Sequence, residues 1–191
     1  MTPSTSNAPT SPLFATDYRI YINHTDAGGI VYHANHLVFF ENCRRDWFTK
    51  LGLNGYFLHD DDGQIQHFVV SQIDLKYRKA ILLDEIIEVQ IDKVELKPAS
   101  IIFYQSIHRG LSAQEETQNP NAKSLDTLLS SAKIVIACVQ NQAKPESSPS
   151  TDAHSSSLAT TTNNSPIRPI RVPKKLQEVI QQAVSTHNKT Q

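Results

Sequence analysis

The stretch that decides the fold is His24-Thr-Asp-Ala-Gly-Gly-Ile-Val-Tyr-His-Ala-Asn-His36, which runs directly into the strongest helical pattern of the 191-residue chain. At about 100° per residue, a helix from roughly Ala34 to Leu51 gathers its apolar side chains on one arc and its polar side chains opposite. The glycine that follows, Gly52, favours the end of the helix there. The apolar arc contains Leu37, Phe40, Cys43, Trp47, Phe48 and Leu51.

Three residues of this helix do not fit the simple two-sided pattern. Val38 and Phe39 lie outside the apolar arc, which makes them candidates for a second contact, a ligand or a partner subunit. Arg44 lies inside the arc, where a charged side chain needs an acidic partner. Glu41, one helical turn earlier, is the local candidate for that partner.

The remainder of the chain is rich in strand patterns. Short connections separate the second, third and fourth of them, which indicates antiparallel neighbours. The chain therefore predicts an α+β fold in which a five-stranded antiparallel sheet wraps around one long helix, with a small C-terminal helix from Lys174 to about Ser185. The predicted strands are Phe14–Ile22, Phe68–Arg78, Glu85–Val94, Ser100–Arg109 and Leu128–Gln140.

Composition divides the chain into one folded domain and several polar segments. We expect a disordered tail over 1–13, the domain over 14–140 with a surface insertion over 110–126, a low-complexity linker over 141–166, and a C-terminal extended segment and helix over 167–191.

A net charge of −1 argues against nucleic-acid binding. No apolar run is long enough to cross a bilayer, and the start lacks the features of a signal peptide. The spacing of the two cysteines is not that of metal ligands or of a redox pair, so we expect reduced cysteines, as in a cytoplasmic protein.

The chemistry of the chain is concentrated in the loop before the helix. Asp26 offers a carboxylate, and Gly28-Gly29 let the backbone come close to a ligand. The helix that follows exposes unpaired N–H groups and the positive end of its dipole. A carboxylate beside such a terminus joins a nucleophile or general base to an oxyanion site, which is typical of acyl-transfer chemistry.

A metal site is the alternative interpretation of the same loop. His24, Asp26, His33 and His36 offer four ligands, and one helical turn places the last two on a common face. The stretch lacks the His-Glu-x-x-His pattern that is typical of zinc enzymes, so we expect no metal and no bound cofactor.

The motif Thr25–Asn35, together with Phe40-Glu41, Arg44 and Trp47, resembles the 4-hydroxybenzoyl-CoA thioesterase-like hotdog family, and within it the bacterial acyl-CoA thioesterase branch associated with the Tol–Pal envelope system. The resemblance implies that Asp26 attacks the thioester or activates water and that the backbone N–H of His33 polarises the carbonyl. It also implies that Lys97 binds the CoA phosphates. The other residues expected to bind substrate are Gly28, Gly29, Ile30, Val31 and Tyr32.

The function expected from this resemblance is hydrolysis of a short-chain acyl-CoA to a free acid and CoA by a homodimer or homotetramer. Acyl carrier protein is the other thioester donor that the sequence leaves open. Two further alternatives stay open: a hotdog dehydratase or hydratase, which uses a paired His and acid, and a non-catalytic acyl-binding or envelope-associated scaffold. The absence of a second acid beside the loop disfavours the dehydratase or hydratase. The scaffold alternative leaves the intact Asp26 loop unexplained.

Overall fold

One antiparallel sheet forms the body of the protein. The computed structural model describes residues 11–53, 58–59, 65–110, 127–141 and 167–190. The strands are β1 (Phe14–Arg19), β2 (Leu58–His59), β3 (Ile65–Tyr77), β4 (Ile86–Leu96), β5 (Ser100–Arg109), β6 (Leu128–Asn141) and β7 (Ile167–Pro169). In the sheet they follow the order β1-β4-β5-β6-β3-β2, and β7 pairs with the end of β6. The helices are α1 (Asn35–Lys50) and α2 (Lys174–Thr190), and a short 3₁₀ turn covers Ile22–His24.

The predicted α+β architecture is confirmed, with two additions. The five long strands and the long helix are those that the sequence patterns indicate, and every pairing is antiparallel. The structure adds β2 and β7, which have two and three residues and are too short to show a period. The predicted C-terminal helix is confirmed and begins at Lys174 as expected, but it is 17 residues long and continues past Ser185 to Thr190. Its last turn is polar, and apolar spacing therefore gives no sign of it.

Helix α1 packs on one face of the sheet, which we call the inner face. Phe40, Cys43 and Trp47 of α1 are buried against the alternate residues of β4, β5 and β6 that point inward. Burial of each large apolar side chain contributes roughly 1.5–3 kcal/mol, so this contact is the main source of stability. The inward-facing strand residues are Ile87, Val89, Ile91, Ile101, Phe103, Ile107, Ala132, Ile134 and Ile136.

The buried arginine of α1 has a different partner from the one predicted. Arg44 is 2% exposed, and its Nη1 donates a 2.8 Å hydrogen bond to Oε1 of Gln105 in β5. The Gln105 amide in turn donates to the Phe40 carbonyl at 3.1 Å, and the guanidinium lies 5.8 Å from the centroid of the Phe103 ring. Glu41 is exposed. The prediction of a Glu41–Arg44 pair was wrong because Arg44 points into the sheet and Glu41 points away from it.

The two residues predicted to lie outside the apolar arc have different environments. Val38 is 50% exposed, as expected for a position left open for a ligand or partner. Phe39 is buried instead, with its ring 5.8 Å from Tyr18 and 5.1 Å from His24. Strand β1 and the 3₁₀ turn cover this second side of α1, which widens its buried arc. Phe39 therefore makes its second contact within the chain and not with a ligand or a partner subunit.

Helix α2 joins the same core at the end of the sheet that lies away from the 24–36 loop. Its Leu176 and Ile180, with Val172 before it, are buried among the core residues. The N–H of Val172 donates to the Pro98 carbonyl at the β4–β5 turn. Neither α1 nor α2 is long and apolar enough to cross a membrane. The predicted segments 110–126 and 141–166 lie almost entirely outside the described residues.

Candidate active site

The loop between the 3₁₀ turn and α1 is a tight hairpin held by its own backbone. The N–H of Asp26 donates to the Ile30 carbonyl at 2.9 Å, and the N–H of Gly29 donates to the Asp26 carbonyl at 3.0 Å. Gly29 has a φ of +73°, a conformation that glycine adopts without strain. This is a turn followed by a left-handed residue, a common three-residue hairpin connection. The glycine pair thus places Asp26 at the tip of the hairpin.

Main-chain hydrogen bonds fasten this hairpin to the body of the protein. The N–H of Val31 donates to the Ile81 carbonyl at 2.8 Å, and the N–H of Tyr32 donates to the His24 carbonyl at 3.0 Å. The side-chain amide of Asn35, the first residue of α1, donates to the same His24 carbonyl at 2.7 Å. The hairpin and the start of α1 therefore form one ordered unit.

The Asp26 carboxylate is exposed but oriented. Its Oδ1 accepts the N–H of Gly28 at 2.8 Å, and within the described residues no other group donates to it. A Cβ at position 28 would lie 3.1 Å from that oxygen, which is a crowded contact. The absence of a side chain at Gly28 therefore leaves room for the carboxylate. One oxygen is held by the loop, and the other is available for a substrate or a water molecule.

The turn before α1 presents backbone donors that the described structure does not use. Neither the N–H of His33 nor that of Ala34 has a hydrogen-bond partner among residues 11–53, 58–59, 65–110, 127–141 and 167–190. The cap of α1 at Ala34 also has no side-chain acceptor. Such unpaired N–H groups at a helix N-terminus, where the dipole is positive, form a site for developing negative charge.

The histidines and Asp26 do not converge on a common point. The Nδ1 of His24 accepts the N–H of Tyr21 at 3.1 Å, and its ring packs on Phe39. His36 is buried, with Nδ1 2.9 Å from the Ser130 hydroxyl. In the part of the chain that is described, no three His, Cys, Asp or Glu side chains are grouped as metal ligands. The geometry therefore does not assemble the alternative metal site.

Burial makes His36 a source of acid sensitivity. Desolvation, assisted by the neighbouring His33, lowers the pKa of His36 from 6.5 to about 4. In the unfolded chain the ring takes up a proton near pH 6.5, so between pH 6.5 and 4 the unfolded state binds more protons than the folded state. This contribution to stability is complete above about pH 6.5 and is lost as the pH falls toward 4.

We expect the free energy of unfolding to drop by about 1–3 kcal/mol across that window because of this one residue. The measurement is urea unfolding of the wild type and of His36→Gln at a series of pH values. The glutamine keeps a polar contact for Ser130 but does not titrate, so its stability should depend less on pH. If the free energy of unfolding changed equally with pH in the two proteins, His36 would not be the source of the acid sensitivity.

The other residues predicted to bind substrate fall into three groups. Ile30 and Tyr32 are exposed beside the hairpin, where they are accessible to a ligand. Val31 is 5% exposed and packs in the core. Lys97 lies beyond the far end of β4, about 30 Å along the strand from the loop, where it is 3.7 Å from a Glu95 carboxylate oxygen. One chain therefore does not bring Lys97 together with Asp26.

The structure adds one residue to this site that sequence reasoning missed. Tyr77, the last residue of β3, donates from its hydroxyl to the His33 carbonyl at 3.0 Å. In the sequence Tyr77 is only one more alternating residue of a strand. Nothing local signals a contact with a residue 44 positions earlier.

Comparison with known proteins gives a consistent result. Residues 28–113 match the thioesterase superfamily. The acyl-CoA thioesterase YbgC of Haemophilus influenzae is 32% identical over 126 residues, which is 66% of this chain and 80% of that protein.

Two solved structures share the fold. A probable thioesterase from Bartonella henselae has a TM-score of 0.55 and 24% identity, over 71% of this chain and 98% of the other. A 4-hydroxybenzoyl CoA thioesterase has a TM-score of 0.57 and 13% identity, over 86% and 96%. With this fold, this loop and these relatives, the chain belongs to the thioesterase superfamily of hotdog-fold enzymes.

Proposed function

We propose that the protein hydrolyses acyl-CoA thioesters to free acids and CoA, with Asp26 as the nucleophile or general base and the turn at His33 as the oxyanion site. The observation that carries the proposal is that one ordered unit holds both a free carboxylate oxygen and unpaired N–H groups at a helix N-terminus. The similarity to proteins named acyl-CoA thioesterase and acyl-CoA thioester hydrolase supports the same substrate class.

The geometry suits a reaction that needs little activation. A thioester is already a reactive acyl group, so a carboxylate is a sufficient nucleophile or base. As a base, Asp26 takes a proton from the water that attacks the carbonyl. As a nucleophile, it forms an anhydride with the acyl group, which water then cleaves. In both routes the C–S bond breaks, CoA leaves as a thiolate and takes up a proton, and the acid remains.

These two routes differ in where the oxygen of water first appears. Hydrolysis of the anhydride at the Asp26 carbonyl transfers that oxygen to the side chain. A single turnover in ¹⁸O-labelled water, followed by mass analysis of the peptide that contains Asp26, tests for this transfer. Label in the peptide supports the nucleophilic role, whereas an unlabelled peptide excludes attack of water at the Asp26 carbonyl.

The helix terminus supplies the second half of the mechanism. When the carbonyl carbon is attacked, its oxygen gains negative charge, and the N–H groups of His33 and Ala34 are available to bind it. A backbone donor aimed at an oxyanion contributes about 10²–10³ to the rate. The positive end of the α1 dipole acts in the same direction.

The assay that tests this function is release of CoA from a series of acyl-CoA substrates of increasing chain length, detected with a thiol reagent. We expect release to be fastest with short acyl groups. The same series on acyl carrier protein identifies the preferred donor. No release from any member, with folded protein, would overturn the proposal. The predicted link to the Tol–Pal system is a separate question that this assay does not address.

We also propose that the protein acts as a homo-oligomer formed through β3. In the described residues β2 pairs with only two residues of β3, which leaves most of that edge without a partner strand. Val70, Ile73 and Tyr77 are exposed on the inner face along the same strand. A second copy that adds its β3 to this edge covers these side chains and satisfies the open backbone groups. In such an assembly, Lys97 serves the CoA phosphates only if the second subunit brings it to the cleft.

A charge on this strip is expected to separate the subunits. Ile73→Lys places an ammonium group in the proposed apolar contact, whereas Gln72→Lys adds the same charge on the outer face of the same strand. Light scattering after size exclusion should give a smaller mass for Ile73→Lys and an unchanged mass for Gln72→Lys. If the wild type has the mass of a monomer, or if Ile73→Lys has the same mass as the wild type, β3 is excluded as the interface.

A further inference from the structure

A strand residue binds the turn that presents the unpaired N–H groups. His33 precedes Ala34, the N-cap of α1, so the His33 carbonyl is not one of the helical acceptors. At this end of the helix the N–H of Leu37 donates to the Ala34 carbonyl at 3.0 Å. The hydroxyl of Tyr77 donates to the His33 carbonyl at 3.0 Å. A residue from β3 therefore fixes the peptide that leads into α1.

This contact also determines where an N–H group points. The carbonyl of His33 and the N–H of Ala34 belong to one planar, trans peptide unit, in which the two bonds point in opposite directions. Holding the carbonyl toward Tyr77 therefore holds the Ala34 N–H away from it, in a fixed direction. The adjoining peptide, which carries the N–H of His33, is held by a separate bond, because its carbonyl, that of Tyr32, accepts the N–H of Asn35 at 2.8 Å.

Tyr77 is itself held by a buried histidine. The His36 ring meets the Tyr77 ring edge to face, with centroids 5.0 Å apart and planes at 86°. His36 is 4% exposed, and its Nδ1 lies 2.9 Å from the hydroxyl of Ser130 in β6. Edge-to-face aromatic pairs are favourable and directional, so the buried ring limits the positions of the half-exposed tyrosine. Side chains from β3, β6 and α1 thus converge behind one peptide unit.

We propose that Tyr77 is a positioning residue for the oxyanion site, which orients the backbone N–H group of Ala34 without touching the substrate. This inference rests on the proposed function and deepens it. A preorganised donor costs no rearrangement when charge develops, and this is the origin of its effect on rate. Loss of the tyrosine hydroxyl should therefore slow the chemical step more than it weakens substrate binding.

The test is Tyr77→Phe, which removes the hydroxyl and keeps the ring that packs on His36. The matched control is Tyr18→Phe. Tyr18 also fastens α1 through its hydroxyl, which donates to the Asp46 carboxylate at 2.6 Å, but it does not contact the turn at His33. Both variants lose one tyrosine hydrogen bond at α1, and only one of these bonds reaches the proposed site.

For Tyr77→Phe we expect kcat to fall about tenfold with KM within about twofold, because part of the 10²–10³ contribution of an oxyanion donor is lost. Tyr18→Phe should keep kcat within about twofold. Amide hydrogen exchange at residues 33–37 should accelerate in the first variant only. A kcat equal to that of Tyr18→Phe, or a raised KM with unchanged kcat, would overturn the inference.

Two further measurements keep this result distinct from other failures. Wild type and Asp26→Asn are assayed in parallel. If wild type releases no CoA, the proposed function fails, whereas an active wild type with an unaffected Tyr77→Phe contradicts only the role of the tyrosine. If circular dichroism shows that Tyr77→Phe is unfolded, Ser130→Ala replaces it. That variant keeps the hydroxyl but frees His36, and it should lower kcat several-fold at constant KM. An unchanged kcat in that variant would also count against the inference.

Discussion

Replacement of Asp26 by asparagine is expected to lower kcat by about 10²–10⁴, the range typical of losing one acid–base group. In this structure the substitution removes the charge of the side chain and preserves its hydrogen bond. Asparagine keeps the side-chain oxygen that accepts the Gly28 N–H at 2.8 Å, so the hairpin retains its shape. It removes the negative charge, and with it the base and the nucleophile. KM should change little if CoA is bound by other residues.

The measurement is kcat and KM on a short-chain acyl-CoA, with circular dichroism and size exclusion on the same samples. Asp17→Asn is the matched control, because Asp17 is another exposed carboxylate but lies on β1, away from the loop. It should retain wild-type turnover. A folded Asp26→Asn variant that kept more than about a tenth of the activity would fall outside the range expected for acid–base catalysis, and Asp26 would have to be abandoned as the catalytic residue.

The largest effect on stability is expected at Phe103. This residue is fully buried in β5, and its ring lies edge-on to both Trp47 and Phe48 of α1, with centroids 6.0 Å apart in each case. It also supports the guanidinium of Arg44. Phe103→Ala removes the ring and leaves a cavity between the helix and the sheet. Changes of this kind cost about 3–5 kcal/mol, which is a large part of the stability of a typical domain.

Urea unfolding measures this loss as a shift in the midpoint. The control is Tyr104→Ala, one residue later in the same strand but on the outer face, where the ring contacts Lys93 and Lys133. It should lose only about 1 kcal/mol, the scale of exposed cation–π contacts. If Phe103→Ala cost less than about 1.5 kcal/mol, α1 would not be packed on β5 in the way described, since a buried aromatic ring is worth more.

Elements whose signal is local could be predicted from sequence. The bounds predicted for β5 agree with the structure at both ends, because Ile101, Phe103 and Ile107 alternate within a single segment. Helix α1 was predicted from its own apolar spacing. In contrast, β7 has three residues, and it is a strand only because it pairs with the end of β6. The partner of Arg44 was missed for the same reason, since Gln105 is 61 residues away in the chain.

The same distinction applies to the candidate site. Asp26, the glycine pair and the start of α1 are neighbours in sequence, so their chemistry was visible as a motif. Tyr77 reaches this motif from another strand, and no pattern in either segment indicates the contact. For Lys97 the sequence placed a basic residue between two strands, but the distance from that turn to Asp26 depends on how the strands run in the sheet. The predicted contact of Lys97 with the CoA phosphates stays a prediction.

The hairpin that carries Asp26 has a consequence for how this enzyme can evolve. Its shape depends on main-chain hydrogen bonds, from Asp26 to Ile30, from Tyr32 to His24 and from Val31 to Ile81. The exposed side chains of Ile30 and Tyr32 contribute none of these bonds. Mutations at those two positions can therefore change the surface beside the Asp26 carboxylate without moving the carboxylate. The chemistry of that surface and the geometry of the hairpin are in this way separable traits, and a lineage can change the first while it keeps the second.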